Sequence, residues 1–198
     1  MNLRINKYPK YLIDISLASS LKNFTKDKNT SLDIGCGDGE LLTELALNNP
    51  SKYFIGLEIK YGRIVKSLKK AELNKLKNLK FIFCDANLLI KEIIPKNSLN
   101  KVFINNPDPW PKDKHEKNRL INSNFLMNLH EIIKRRGFLY IKTDDKKYMK
   151  IIKKEITKTR FATSTKKSLF DKTLPNTKFQ KLFLKENKKI YSLKLQKK

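Results

Sequence analysis

Ser31-Leu32-Asp33-Ile34-Gly35-Cys36-Gly37-Asp38-Gly39-Glu40 is an apolar run that breaks into three alternating glycines and then opens a helical pattern. Ser31–Ile34 reads as a buried strand and Glu40–Leu47 as a helix. Glycines at alternate positions let the chain turn tightly and let its backbone approach a ligand closely. Strand, glycine turn and helix in that order make the first βα unit of a parallel sheet. Glu58 ends the next apolar run about twenty residues on. A carboxylate there is placed to accept both hydroxyls of an adenosine ribose.

The same alternation continues. Tyr53–Leu57, Leu79–Phe83, Lys101–Ile104 and Phe138–Ile141 read as further strands, and Arg63–Leu73 and Leu88–Ile94 as the helices between them. Leu120–Lys134 carries Leu120, Ile121, Phe125, Leu126, Leu129, Ile132 and Ile133 close to a 3.6-residue period, with Gly137 expected as its C-cap. A helix over Lys146–Thr157, a strand at Phe161–Ser164, a short helix after Thr177 and an alternating strand at Ile190–Leu195 complete the pattern. Before the sheet lies an amphipathic stretch around Tyr11-Leu12-Ile13 and Leu17, then a loop at Lys26–Asn29. No repeat and no Gly/Ser linker divides the 198 residues. The expectation is one α/β domain over 1–198, with an N-terminal helix or arm at 1–30 and a Rossmann-like core at 31–198.

No apolar run approaches the roughly 20 residues of a membrane span, and Met1–Lys10 is polar, without the apolar centre of a secretory signal. Cys36 and Cys84 are too few for a disulfide framework, and with His115 and His130 they supply a zinc site poorly. A cytoplasmic, metal-free protein is expected. The formal charge of +25 and pI near 10.0 point to a polyanionic partner. Nearly all the excess is Lys, so a bias toward A/T-rich codons would give the same profile without any binding role.

Two cofactors fit a glycine turn of this kind. A dinucleotide would set its pyrophosphate on the helix N-terminus. S-adenosylmethionine carries instead an amino acid end with one carboxylate and one ammonium. Asp33 suits the second better, because a carboxylate repels a pyrophosphate. Asp85, after the third strand, either meets the adenine amine or caps a helix before Asn87. Nothing electropositive accompanies Cys36 or Cys84 that would make either a nucleophile.

Asn106-Pro107-Asp108-Pro109-Trp110-Pro111-Lys112 follows the fourth strand. Three prolines hold it away from helix and strand, so it presents a carboxylate, an indole and an ammonium from a stiff loop. With His115, Lys117 and Arg119 behind it, Thr143-Asp144 after the fifth strand and Thr177-Lys178-Phe179-Gln180 near the end, this block closely resembles the signature of the bacterial tRNA (guanine-N7)-methyltransferases. The resemblance runs from about Ser31 to Leu195. It implies a Rossmann-like class I methyltransferase fold with a mostly parallel seven-stranded sheet. It implies methyl transfer from S-adenosylmethionine to N7 of the variable-loop guanine, position 46, of tRNA, by a monomer or homodimer. It implies cofactor contacts at Asp33, Glu58, Asp85 and Asp108, and substrate contacts at Lys112, Asp144, Thr177, Lys178, Phe179 and Gln180. The glycine turn adds Gly35 and Gly37 to the expected cofactor contacts, and Asp108 is the expected catalytic group, its carboxylate placed to stabilise the cation forming on the purine. Lys114, Lys117 and Arg119 are then expected to grip phosphates.

The chain departs from that signature in three ways. The family usually has Phe where Asn106 stands, its basic run is diluted here by Asp113, Glu116 and Asn118, and its closing Glu is Gln180, which keeps an acceptor but loses the charge. Methyltransferases acting on exocyclic amines use an Asn-Pro-Pro-aromatic turn, which Asn106-Pro107 begins and Asp108 breaks. A catalytically silent RNA-binding domain would have lost the strand-end acids, and all are present. A nicotinamide-linked oxidoreductase is disfavoured by Asp33.

Overall fold

A computed structural model describes residues 4–15, 18–165, 171 and 173–198, without the side chains of 18–20, Asp113 and Lys178. Seven strands form one sheet in the order β3-β2-β1-β4-β5-β7-β6. They are β1 (Thr30–Ile34), β2 (Tyr53–Glu58), β3 (Leu79–Phe83), β4 (Leu99–Asn105), β5 (Ile133–Thr143), β6 (Phe161–Thr163) and β7 (Tyr191–Lys197). β1 to β5 are parallel, and β7 runs antiparallel between β5 and β6. Among the described residues the α-helices include α1 (Ala18–Thr25), α2 (Glu40–Asn48), α3 (Tyr61–Leu73), α4 (Ala86–Leu88), α5 (Ser123–Ile132), α6 (Lys146–Ile156) and α7 (Lys178–Lys185). This is the mostly parallel seven-stranded sheet expected from the sequence.

Alternation within the strands assigns the two faces. Leu32, Ile34, Ile55, Leu57, Val102, Ile104, Leu139 and Ile141 share a buried cluster with residues of α5 and α6. Phe54, Phe81, Phe103 and Tyr140 point the other way, into a cluster with Leu42 of α2 and Ile64 and Leu68 of α3. Both faces are therefore covered, which is why the parallel strands read as near-continuous apolar runs. β1 lies between β2 and β4, so successive connections leave it in opposite directions. A crevice opens at the carboxyl ends of β1 and β4, where open α/β sheets bind ligands.

Three local expectations are corrected. α5 ends at Ile132, and Ile133 enters β5 directly, so Gly137 lies inside a strand rather than capping a helix. Leu99 faces Ile133 while Lys101 faces Phe138, so β5 bulges between those pairs, and Arg136 takes φ +63°. A Cβ at Gly137 would sit 2.8 Å from Lys134 O and 2.9 Å from Asn100 O, so close backbone approach is what requires glycine. The helix expected over Leu88–Ile94 is a short α4 followed by a wider turn, in which Ile94 N donates to Leu89 O at 3.0 Å. Tyr11–Ile13 is extended: Ile13 N donates to Phe81 O and Phe81 N to Tyr11 O, covering the exposed edge of β3. Leu17 lies outside the described residues.

Gly137→Ala is expected to lose about 1–3 kcal/mol of stability, because besides the Ile133 side chain the added methyl meets two backbone oxygens that cannot rotate away. Gly62→Ala in α3, with open space around the added methyl, should be neutral or stabilising. Urea unfolding of the two variants side by side measures both.

Candidate functional site

Gly35 and Gly37 leave β1 with φ of +73° and +59°. A Cβ built on either meets nothing within 4 Å, so the turn faces open space that a ligand can enter. Glu58, at the end of β2, locks the turn. Its Oε2 accepts from Gly37 N at 3.0 Å, and its Oε1 accepts from Ile59 N at 2.9 Å and Lys60 N at 2.8 Å. Backbone thus fills three of the roughly four acceptor sites a carboxylate has. One ribose hydroxyl can be taken without loss of an existing bond.

Asp33 is 3% exposed. Burial pushes its carboxyl up to about 7; the hydrogen bond from Asn105 opposes that rise, and the nearby Glu58 charge adds to it. Asn105, the last residue of β4, donates from Nδ2 to Asp33 Oδ1 at 3.4 Å. Its Oδ1 accepts from Gln180 Nε2 at 3.2 Å. Gln180 Oε1 in turn accepts from Thr177 N at 3.0 Å, while Gln180 N donates to Thr177 Oγ1, a reciprocal cap at the start of α7.

Two adjoining cavities open on this framework. One, of about 430 Å³, is lined by Glu58, Asp85, Asp108, Trp110, Asp144, Phe179 and Phe183 among others. The other, of about 390 Å³, is lined by Asp33, Gly37, Asp38, Glu40, Lys66 and Thr177 among others. Gly35, Arg63, Asn105, Asn106 and Phe179 line both. The structure therefore brings together Asp33, Gly35, Gly37, Glu58, Asp85, Asp108, Asp144, Thr177 and Phe179, from segments far apart in sequence. Asp85 meets both of its sequence readings. Its Oδ1 caps α4 by accepting from Asn87 N and Leu88 N, and the residue also lines the larger cavity.

Other predicted residues stand elsewhere. Gln180 is 0% exposed and lines neither cavity, since both ends of its amide are engaged in bonds to Thr177 and Asn105. Its amide is committed to internal partners, whereas the sequence resemblance implies a contact with substrate. Arg119 is 7% exposed, and its guanidinium binds Pro109 O, Trp110 O and Glu116. It clamps the prolyl loop from within the fold. Lys112, Lys114 and Lys117 are exposed beside that loop but line neither cavity. The side chain of Lys178 lies outside the description.

Sequence reasoning missed Asn105, Asn106 and Arg63. Asn105 carried a usable signal, as the polar last residue of a central buried strand. Asn106 adopts φ +50°, a region Asn tolerates better than most residues, and its buried Oδ1 has no hydrogen-bond partner. Arg63 sets its guanidinium 6.0 Å from the Phe179 ring centre. No local pattern distinguishes it from other helical basic residues.

The chemistry of the pocket discriminates between cofactors. Asp33, Asp38 and Glu40 surround the glycine turn and the start of α2. A phosphate about 4 Å from one such carboxylate would meet repulsion of roughly 4 kcal/mol at an effective dielectric of 20. An ammonium suits Asp33, a ribose hydroxyl the remaining acceptor site of Glu58, and an amine Asp85, which is the donor set of S-adenosylmethionine. The thiols are not reactive partners. Burial first, and Asp33 and Glu58 second, push the Cys36 thiol well up, and burial and Asp85 raise Cys84. Among the described residues, no group of three His, Cys, Asp or Glu side chains could hold a metal ion, and no helix is long and apolar enough to cross a membrane.

Comparison with known proteins agrees. A family described as "Putative methyltransferase" matches residues 27–193. A tRNA (guanine-N(7)-)-methyltransferase of Thermotoga maritima is 35% identical over 146 residues, which cover 74% of this chain and 45% of that protein. One from Buchnera aphidicola subsp. Acyrthosiphon pisum is 36% identical over 169 residues, covering 83% of this chain and 71% of that protein. A solved antibiotic-related methyltransferase shares the fold, with a TM-score of 0.64 at 21% identity over 96% of this chain and 97% of that one. With a family match over most of its length and a relative of this identity spanned through more than two thirds, the chain belongs to the tRNA (guanine-N(7)-)-methyltransferase family.

Proposed function

We propose that this chain transfers a methyl group to N7 of the variable-loop guanine, position 46, of tRNA. The observation that carries the reading is the meeting of Asp108 and Asp144 with Glu58 and Asp85 around one cavity. S-adenosylmethionine supplies an electrophilic methyl group when bound. Guanine N7 carries an in-plane lone pair and no proton, so no base is needed at the attacking atom. The chain's task is alignment and a negative field where positive charge develops. Asp108 accepts hydrogen bonds from the Watson–Crick edge of the guanine and stabilises the cation forming on the purine. Asp144 lends a second carboxylate from the end of β5. Asp33 holds the cofactor's ammonium, and Glu58 and Asp85 hold its nucleoside.

A guanine in the folded tRNA must leave its stack before it enters this cavity. Lys112, Lys114 and Lys117 then hold phosphates beside it, and Phe179 closes from the opposite side. Arg119 fixes the loop that carries Asp108 and Trp110. A tRNA substrate implies a cytoplasmic enzyme.

Asp108→Ala should abolish methyl transfer to unmodified tRNA while leaving tRNA affinity within about twofold, since one lost carboxylate removes little of a phosphate-dominated binding energy. Labelled methyl transfer, with chemical cleavage at 7-methylguanine to locate the product, reads the first; filter binding reads the second. Full activity in this variant would remove Asp108 from the mechanism. Lys112→Ala should weaken tRNA binding and reduce the slope of log affinity against log salt by roughly one. An unchanged slope contradicts a phosphate contact.

Asp33 gives a pH dependence. Below about 7 its carboxyl is protonated and neutral, so binding a cation there must first release a proton. Affinity for S-adenosylhomocysteine should rise as pH increases toward 7 and level off above it, and Asp33→Asn should flatten the profile at a lower affinity. Calorimetry from pH 5.5 to 8.5 checks this; a profile falling with pH would contradict the assignment.

A further inference from the structure

Gln180 is fully buried and touches neither cavity, yet its amide connects two functional elements. On one side it caps α7 through Thr177 N. On the other it donates to Asn105 Oδ1, whose own Nδ2 donates to Asp33. The polarity of this chain of bonds is fixed by its ends. The Asp33 carboxylate calls for a donor, so Asn105 must turn its Nδ2 inward and leave Oδ1 facing α7. That oxygen then needs a donor at position 180, and the same side chain must accept from Thr177 N. An amide does both, whereas a carboxylate can only accept. Gln180 is thus matched to Asn105 on one side and Thr177 on the other.

α7 is also a wall of the site. Thr177 and Phe179 line the smaller cavity, and Phe179 and Phe183 the larger. Whatever seats α7 therefore shapes the space offered to the base. A cation bound at Asp33 keeps that carboxylate ionised, and a hydrogen bond to an ionised acceptor is roughly twice as strong as a neutral one. The polarised Asn105 amide then holds Gln180 more firmly, since bonds in a chain reinforce one another. We propose that Gln180 is a positioning residue which, through Asn105, couples the seating of α7 to the ligand cation held by Asp33. The coupling makes donor binding and closure of the guanine side mutually reinforcing, as linkage requires. It rests on the methyltransferase reading for the identity of that ligand.

Hydrogen exchange in the α7 amides, followed with and without S-adenosylhomocysteine, tests it. In the wild-type chain the ligand should slow exchange across Lys181–Lys188 by roughly fivefold or more. Adenosine, which lacks the ammonium, should leave that segment unchanged at saturation. Gln180→Met keeps the volume and removes both bonds; Gln180→Glu keeps the cap and removes the donor. In both, S-adenosylhomocysteine should bind several-fold more weakly and no longer slow exchange in α7. Leu184→Ala, on the exposed face of the same helix, should raise basal exchange yet retain the ligand effect. Equal slowing in the wild type and the Gln180 variants, or equal slowing by adenosine, overturns the coupling while the methyltransferase reading stands. Failure of the wild-type chain to bind S-adenosylhomocysteine at all overturns both.

Discussion

Everything in the site depends on the gap at the carboxyl ends of β1 and β4. These strands are paired side by side, with Ile34 opposite Ile104, but the connections beyond them diverge. Gly35, just beyond β1, and Asn105, the last residue of β4, both line the crevice that opens between them. Asp33 is drawn into that crevice from a strand whose every residue is buried. A carboxylate in such surroundings is costly unless something pairs with it. Asn105 supplies one donor, and the raised carboxyl shows that one donor does not offset the burial. A cation placed beside Asp33 would relieve that burial cost.

The prolyl loop solves a different problem. Asn106 and Trp110 both adopt positive φ, at +50° and +42°, and neither is glycine. Such conformations persist only when their surroundings over-determine them. Arg119 provides that determination by binding the carbonyls of Pro109 and Trp110 from beneath, and His115 packs edge-on against the Trp110 ring at 5.5 Å. The rigidity that prolines contribute to the unfolded chain is completed by an arginine in the folded one. Trp110 remains 37% exposed, so its indole is presented rather than buried.

The fold was legible because period-two alternation and glycine punctuation are local signals, and the parallel strands are long enough to show them. The junction at Ile132–Ile133 was not, because the apolar period of α5 runs without a break into β5, and only the pairing of Leu99 with Ile133 decides where one ends. The site divides along the same line. Acids at strand ends, such as Glu58 and Asp85, are readable because their position follows from the strand. Arg119 and Gln180 stand apart from both cavities for one shared reason. Each sits in a motif whose neighbours face solvent or a cavity, and side-chain direction within a loop or at a helix start is set by tertiary partners. An arginine ten residues from its carbonyl acceptor carries no sequence mark of turning inward.

Charge is segregated over this molecule, and the segregation itself selects how a nucleic acid engages. The formal charge is +25, yet Asp33, Asp38, Glu40, Glu58, Asp85, Asp108 and Asp144 line the two cavities, with Lys60, Arg63 and Lys66 as the lining cations. A polyanion is attracted to the lysine-rich exterior at long range. Phosphate is disfavoured at these cavities, where the seven carboxylates outnumber the three cations. What can enter is a group without negative charge that offers hydrogen-bond donors, and a guanine Watson–Crick edge does so. The interior that rejects phosphate is the same one that favours positive charge as it moves onto the purine ring. Under the proposed function, substrate presentation and transition-state stabilisation come from a single arrangement of acids, and a substitution that neutralises one of them relaxes both.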